Sequence, residues 1–427
     1  MLFTAVGAVQ ARQNCGDNMT IKAYRTWART TAVTALTAAL LAACGGGDPA
    51  LPGSVDTAGA PTSKGTFTAL VTFGDSLSDI GTYAPATSLT GNGQAPYFGG
   101  KFTANSATAK IWVENLATTM ALVVTPAEVG FATTSVKCPA AANPALAGTC
   151  TAYGQGGSRV TDPAGIGHTT STGAPAALTV PIKTQIANHL TRFTTFKSSD
   201  LILVWAGNND AFAQFSAFSV AATAIKTKQA QGLITEAEAN KQLFDAQTAG
   251  QYAMKAAAQE LAGYVKSEIL AKGGKYVAVF TLPDSALTPF GGSLKANPAT
   301  AAAVPVLSAL VDTFNLWLRD SLAGQPVKIV DQNAPGKDVY ANPAKYGLVN
   351  NTVPACDATK IAAITGGAVT DGSSLFCNST VGAPYNGIRT GADVNTWQFA
   401  DGVHPSPGGH KAISDYVTLQ LKAYGWI

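Results

Sequence analysis

Charge is scarce in this chain of 427 residues, where Asp, Glu, Lys and Arg together make up 12%. The small imbalance sits at the front: Arg12, Lys22, Arg25 and Arg29 face only Asp17 in residues 1–43, which accounts for the formal charge of +3. The remainder is neutral, with no basic stripe or aromatic-basic interleaving of the kind that grips nucleic acid. After residue 43 no long apolar run reads as a membrane-spanning helix, which needs about 20 residues. The sequence also lacks Gly-x-Ser-x-Gly, a phosphate loop and a dinucleotide fingerprint, because its glycine clusters carry neither the lysine nor the spacing. Histidine occurs four times, at His168, His189, His404 and His410, so a general base has few candidates.

The first 43 residues do not pattern as part of a fold. Lys22, Arg25 and Arg29 precede an alanine-rich apolar run, residues 30–43, which is too short for a bilayer span but suits the core of a secretory signal. Met19 is a second candidate start. Leu41-Ala42-Ala43-Cys44 resembles the bacterial lipoprotein signal, which implies a lipid on Cys44. Gly45, where inner-membrane retention uses aspartate, points by the same resemblance to the outer membrane. Plain export to a periplasmic or secreted product is the alternative. Residues 44–65, rich in Gly, Pro, Ala, Ser and Thr, have the composition of a flexible tether.

Six cysteines are present. With Cys15 in removed sequence and Cys44 assigned to lipid, Cys138, Cys150, Cys356 and Cys377 remain to pair in an oxidising envelope, by any of three connectivities. Cys138–Cys150 with Cys356–Cys377 is favoured, since each pair brackets a loop that a cross-link would tighten by about 3 kcal/mol. The alternative of a zinc site meets wide cysteine spacings and no histidine close to either pair.

Strand-like runs at Leu70–Phe73, Leu201–Trp205, Tyr276–Leu282 and Val327–Val330 are separated by helical stretches. Thr235-Glu236-Ala237-Glu238 has the form of a capping box, and the helical pattern it opens runs on to Lys272 before Gly273-Gly274. This alternation predicts an α/β fold with a mainly parallel central sheet and helices on both faces. Residues 66–427 are expected to form one domain with loop insertions, because the candidate catalytic residues come from both of its ends.

Val71-Thr72-Phe73-Gly74-Asp75-Ser76-Leu77 joins a buried-strand pattern to a serine at the strand's carboxyl end, where open α/β sheets place their sites. Gly74-Asp75-Ser76-Leu77 resembles the first block of the GDSL, or SGNH, hydrolase family. Ala152-Tyr153-Gly154-Gln155-Gly156-Gly157-Ser158 is similar to its second block, placing an oxyanion-binding N–H on Gly157 with Gly156 beside it; the family often has asparagine where Ala152 stands, which leaves the register open by about one residue. Trp205-Ala206-Gly207-Asn208-Asn209-Asp210 resembles the third block, with the oxyanion amide on Asn209. Asp401-Gly402-Val403-His404-Pro405 resembles the fifth, with His404 as base and Asp401 as the carboxylate that orients it. The resemblance spans Phe73 to Pro405 and implies the three-layer, flavodoxin-like SGNH fold.

The resemblance further implies a serine hydrolase that cleaves carboxylic esters through an acyl-enzyme on Ser76, with the Ser76 and Gly157 N–H groups and the Asn209 amide around the oxyanion. Neither a metal nor an organic cofactor is required, and a lipid anchor is the only membrane attachment implied. Short- to medium-chain acyl esters or lipids are the first substrate choice; polysaccharide O-acetyl groups are the second, and an inactive surface-binding lipoprotein is the reading from another class. Phe212, Phe215 and Phe218 follow Asn209 at helical spacing and suit either core packing or an acyl groove. Residues 212–250 are a candidate lid. Turn capping is the default role for Asp75, Asp79 and Asp210.

Overall fold

The apolar run after Phe67 becomes β1, Ala69–Gly74, whose interior is buried on both faces. In a computed structural model that describes residues 58–87, 98–380 and 385–427, β1 is a central strand of a parallel sheet. The expectations for the signal segment, Cys44 and most of the tether fall outside these residues. The other strands are β2, Thr125–Pro126; β3, Glu128–Phe131; β4, Thr134–Lys137; β5, Cys150–Ala152; β6, Asp200–Trp205; β7, Tyr276–Phe280; and β8, Lys328–Val330. Their order is β2-β5-β1-β6-β7-β8, every pairing parallel, while β3 and β4 form a separate antiparallel hairpin.

Seven helices matter to the site: α1, Trp112–Thr119; α2, Ile182–Phe193; α3, Asn208–Ala230; α4, Glu236–Tyr264; α5, Pro289–Ala296; α6, Val304–Leu322; and α7, Pro407–Ala423. Side chains alternate across a strand, so neighbouring aromatics show which face each helix covers. Trp112 of α1 packs on Trp205 and Phe280, whereas His189 of α2 packs on Phe73, which is paired in register with Val204 rather than Trp205. Helices therefore lie on both faces, as the α/β reading requires.

The capping box forms as read, with Thr235 and Glu238 each accepting the other's main-chain N–H. The helical path after α4 widens into a π turn, Val265–Ile269, tightens to a 3-10 turn, Leu270–Lys272, and ends at Gly273 in the left-handed region. Residues 212–250, expected as a lid, are the bulk of α3 and the first half of α4. Phe215, Phe218 and Met254 anchor this hairpin in the core, while Leu233 at its turn is 69% exposed. Phe215 and Phe218 are thus packing residues, and Phe212 is half-buried.

One expectation needs correction. Ala301–Leu322 is long and apolar enough to cross a membrane. Its apolar stripe, Leu307, Leu310, Val311, Phe314 and Leu318, is buried in the core. Asp312, Arg319 and Asp320 interrupt the rest, so one face is apolar rather than the whole circumference.

Helix α3 starts at Gly207, whose φ is +116° and where a Cβ would lie 2.6 Å from the Phe314 ring. Both the dihedral and the space demand glycine. Gly207→Ala is expected to lower stability by about 2 kcal/mol or more, combining left-handed strain with overpacking, seen as a lower urea midpoint at unchanged slope.

Candidate active site

Three segments leave the carboxyl edges of three adjacent strands. Pairing of Gly74 with Trp205 sets the turn after β1 beside the loop after β6, and pairing of Thr72 with Ala152 sets the segment after β5 on its other flank. Main-chain bonds continue that flank past the strands: Tyr153 N–H donates to Thr72 O at 2.8 Å and Gln155 N–H to Gly74 O at 3.2 Å. Residues separated by more than a hundred positions in sequence thus share one edge.

Ser76 opens a single 3-10 turn, Ser76–Ser78, capped by Asp75, whose Oδ1 accepts from Leu77 N–H at 3.1 Å. Ser76 Oγ lies 2.9 Å from His404 Nε2. On the other side of the ring, His404 Nδ1 is 2.9 and 2.8 Å from the two oxygens of Asp401. Asp401 and His404 share the short loop before α7, folded back by main-chain donation from Val403 and His404 to Asp401 Oδ1. Burial by itself would raise the Asp401 pKa, but the facing His404 charge and the hydrogen bonds outweigh it and hold the carboxyl well below its usual range. Phe102 lies beside the imidazole, ring centroids 4.7 Å apart.

The second and third motifs are locked together. Asn209 Nδ2 donates to Ser158 O at 2.9 Å, and a carboxamide nitrogen keeps a second N–H for another acceptor. Asn208 Nδ2 donates to Asp75 Oδ2 at 2.9 Å, which joins the start of α3 to the serine turn. At the glycine pair, Gly156 N–H is taken by Asp79 Oδ2 at 2.9 Å. The N–H groups of Ser76 and Gly157 have no acceptor among the described residues. Gly157 has φ +80°, and a Cβ there would sit 2.0 Å from Ile166 O.

His168, His189 and His410 take no part. His168 Nδ1 meets Thr179 Oγ1 at 3.0 Å, His189 is stacked on Phe196, and His410 is buried in α7 beside Phe102 O. Burial lowers His189 to about 4 and His410 to about 3, so both rings are neutral at ordinary pH. Both expected disulfides, Cys138–Cys150 and Cys356–Cys377, are formed.

A model of the GDSL-like lipase/acylhydrolase family matches residues 70–417. The chain belongs to that family. Esterase EstA of Pseudomonas aeruginosa and Esterase EstA of Pseudomonas putida are each 33% identical over 153 residues, 35% of this chain and 20% of the relative. The matched stretch thus spans about a fifth of the length of those curated relatives.

Several supports of this GDSL-family site give no sign in the sequence. Gln185 of α2 grips Gly74 from both sides, its Oε1 accepting Gly74 N–H at 2.9 Å and its Nε2 donating to Gly74 O at 2.8 Å. A lone glutamine inside an amphipathic helix gives no signal. Turn capping describes Asp75 and Asp79 only in part. Asp79 caps Gly81 and Thr82 and also reaches Gly156, and Asp210 instead accepts from Arg159 Nε and Val160 N–H, each at 3.0 Å.

Burial pushes Asp75 and Asp79 up to about 6 despite their hydrogen bonds. A carboxyl whose folded pKa lies above its unfolded value stabilises the fold at low pH and loses that contribution as pH rises through the folded pKa. From these two residues, stability is expected to fall between about pH 4 and pH 6 and to level off above. Urea midpoints across that range check it, and Asp79→Asn should flatten the slope.

Proposed function

We propose that this GDSL-family chain is a serine ester hydrolase working through Ser76, His404 and Asp401. The observation that carries the reading is the continuous contact from Ser76 Oγ through the imidazole to the buried Asp401 carboxylate. His404 Nε2 takes the Ser76 proton as Oγ attacks the acyl carbonyl, and Asp401 holds the imidazole tautomer with Nδ1–H and stabilises the cation formed. The tetrahedral oxyanion is met by the N–H groups of Ser76 and Gly157 and by the Asn209 carboxamide, each such donor being worth roughly 3 kcal/mol in the transition state. His404 then protonates the leaving alkoxide. Water, deprotonated by His404 in turn, attacks the acyl-enzyme and frees the acid.

Acyl esters of short to medium chain are the favoured substrates. Phe212 lies one helical turn beyond Asn209 and packs against Phe290, with centroids 5.9 Å apart. Phe290 in turn is tied to the histidine loop by its N–H donating to Gly402 O at 2.8 Å. Half-buried aromatic surface between the oxyanion amide and the base suits an alkyl chain. The leader's composition supports export to the cell envelope, with Cys44 as the lipid attachment point.

Hydrolysis of p-nitrophenyl esters from acetate to palmitate, with Ser76→Ala alongside, tests this reading. Activity is expected to exceed the acetate rate at intermediate chain length, and Ser76→Ala should lose at least about 10⁴-fold in kcat. Activity confined to acetate would favour the polysaccharide O-acetylesterase reading. Turnover by Ser76→Ala would sink the mechanism.

A further inference from the structure

Asp401 is held from outside its own loop. Its Oδ2 accepts the main-chain N–H of Ser374 at 2.9 Å, from a segment 27 residues earlier. Ser374 opens a single 3-10 turn, Ser374–Phe376, that ends on Cys377. Cys377 is bonded to Cys356, and the Cys356 segment is strapped to the Asp401 loop. Cys356 N–H donates to Ala400 O at 2.9 Å, and Ala355 N–H donates to Phe399 O at the same distance. Asp401, Ser374, Cys377, Cys356 and Ala400 form a closed ring, all of them buried.

In that ring the disulfide is the covalent link opposite the carboxylate. The Ser374 turn is also held from the loop before α1: Asn105 Nδ2 donates to the carbonyls of Ser374 and Cys377 at 3.1 and 3.2 Å, Asn105 N–H donates to Cys377 O at 2.7 Å, and Gly100 N–H donates to Leu375 O at 3.4 Å. Asn105 lies outside the ring and fixes the turn to another loop. The bridge instead references Ser374 N–H to Ala400, the neighbour of the group it binds. Cys138–Cys150 has no such relation to the site, since it ties the end of β4 to the start of β5.

We propose that the Cys356–Cys377 disulfide is a positioning element of the active site, keeping Ser374 N–H on Asp401 and thereby His404 aimed at Ser76. The site is fully competent only in the oxidised protein. This rests on the Ser76, His404 and Asp401 reading above. Reduction by dithiothreitol supplies two electrons and two protons, leaving thiols on Cys356 and Cys377 while the reagent closes to its cyclic disulfide. The Ser374 turn then follows Asn105 rather than Asp401. Orientation of a general base is sensitive to displacements well under 1 Å, so the loss falls on turnover rather than binding.

The test compares two variants of the full chain, Cys356→Ala/Cys377→Ala and Cys138→Ala/Cys150→Ala, on p-nitrophenyl butyrate. The first is expected to lower kcat about tenfold or more with KM within about twofold. It should also broaden or remove the low-field proton resonance expected of His404 Nδ1–H in the wild type. The second should lower the thermal midpoint yet keep both kcat and the resonance. Retention of kcat and of the resonance in the first variant, or equal losses in the two, would overturn the proposal. If the first variant fails to fold, wild type is titrated with dithiothreitol while free thiols are mapped by iodoacetamide. Activity that falls in step with alkylation of Cys356 and Cys377 supports the proposal, and activity that survives it is contrary. A wild type inert on every ester, with the His404 resonance nonetheless present, would overturn the ester-hydrolase reading and leave the positioning claim to stand or fall on the resonance alone.

Discussion

The register between β1 and its two neighbours is the constraint on which the site depends. Once Gly74 pairs with Trp205 and Thr72 with Ala152, the turn holding Ser76 is flanked by Asn209 and Gly157. A slip of one residue would turn every side chain of β1 to the opposite face. Burial on both faces makes such a slip prohibitive, because Leu70, Val71 and Phe73 all lie in the core. The same apolar packing that stabilises the sheet therefore fixes where the polar groups emerge.

Beyond the strand ends, buried hydrogen bonds take over from packing. Asp75 with Asn208, Asp79 with Gly156, and Asp210 with Val160 and Arg159 each join two different loops at the same edge. A carboxylate suits this work because it accepts several N–H donors at once. Its burial carries a penalty, expressed here as raised pKa values for all three aspartates. Asp401 goes the other way, since a histidine faces it and three main-chain N–H groups converge on it.

Much of this is legible in the sequence wherever a residue type has one physical use. The interior strands announce themselves by apolar β-branched runs, and Gly-Asp-Ser-Leu, Gly-Asn-Asn-Asp and Asp-x-x-His fall at strand or helix ends as read. Strands β5 and β2, of three and two residues, are too short to show a pattern. Gln185, Asn105 and the Ser374 main chain are invisible, because their contacts depend on tertiary placement and not on local sequence. The stretch 212–250 is legible in part: the capping box at Thr235 announces the second helix of the hairpin, while the buried face is carried by only a few large residues that local sequence does not single out. Helix α6 does not stand out as a span candidate in the sequence and does meet the length and apolarity of one, yet its apolar side is spent on the core.

In the proposed mechanism the fold activates Ser76 through His404. Treatment with a fluorophosphonate, followed by intact mass and peptide mapping, tests it without assuming a substrate. A single adduct is expected, located on Ser76 and lost in His404→Ala. Absence of an adduct, or its appearance on another serine, would contradict it.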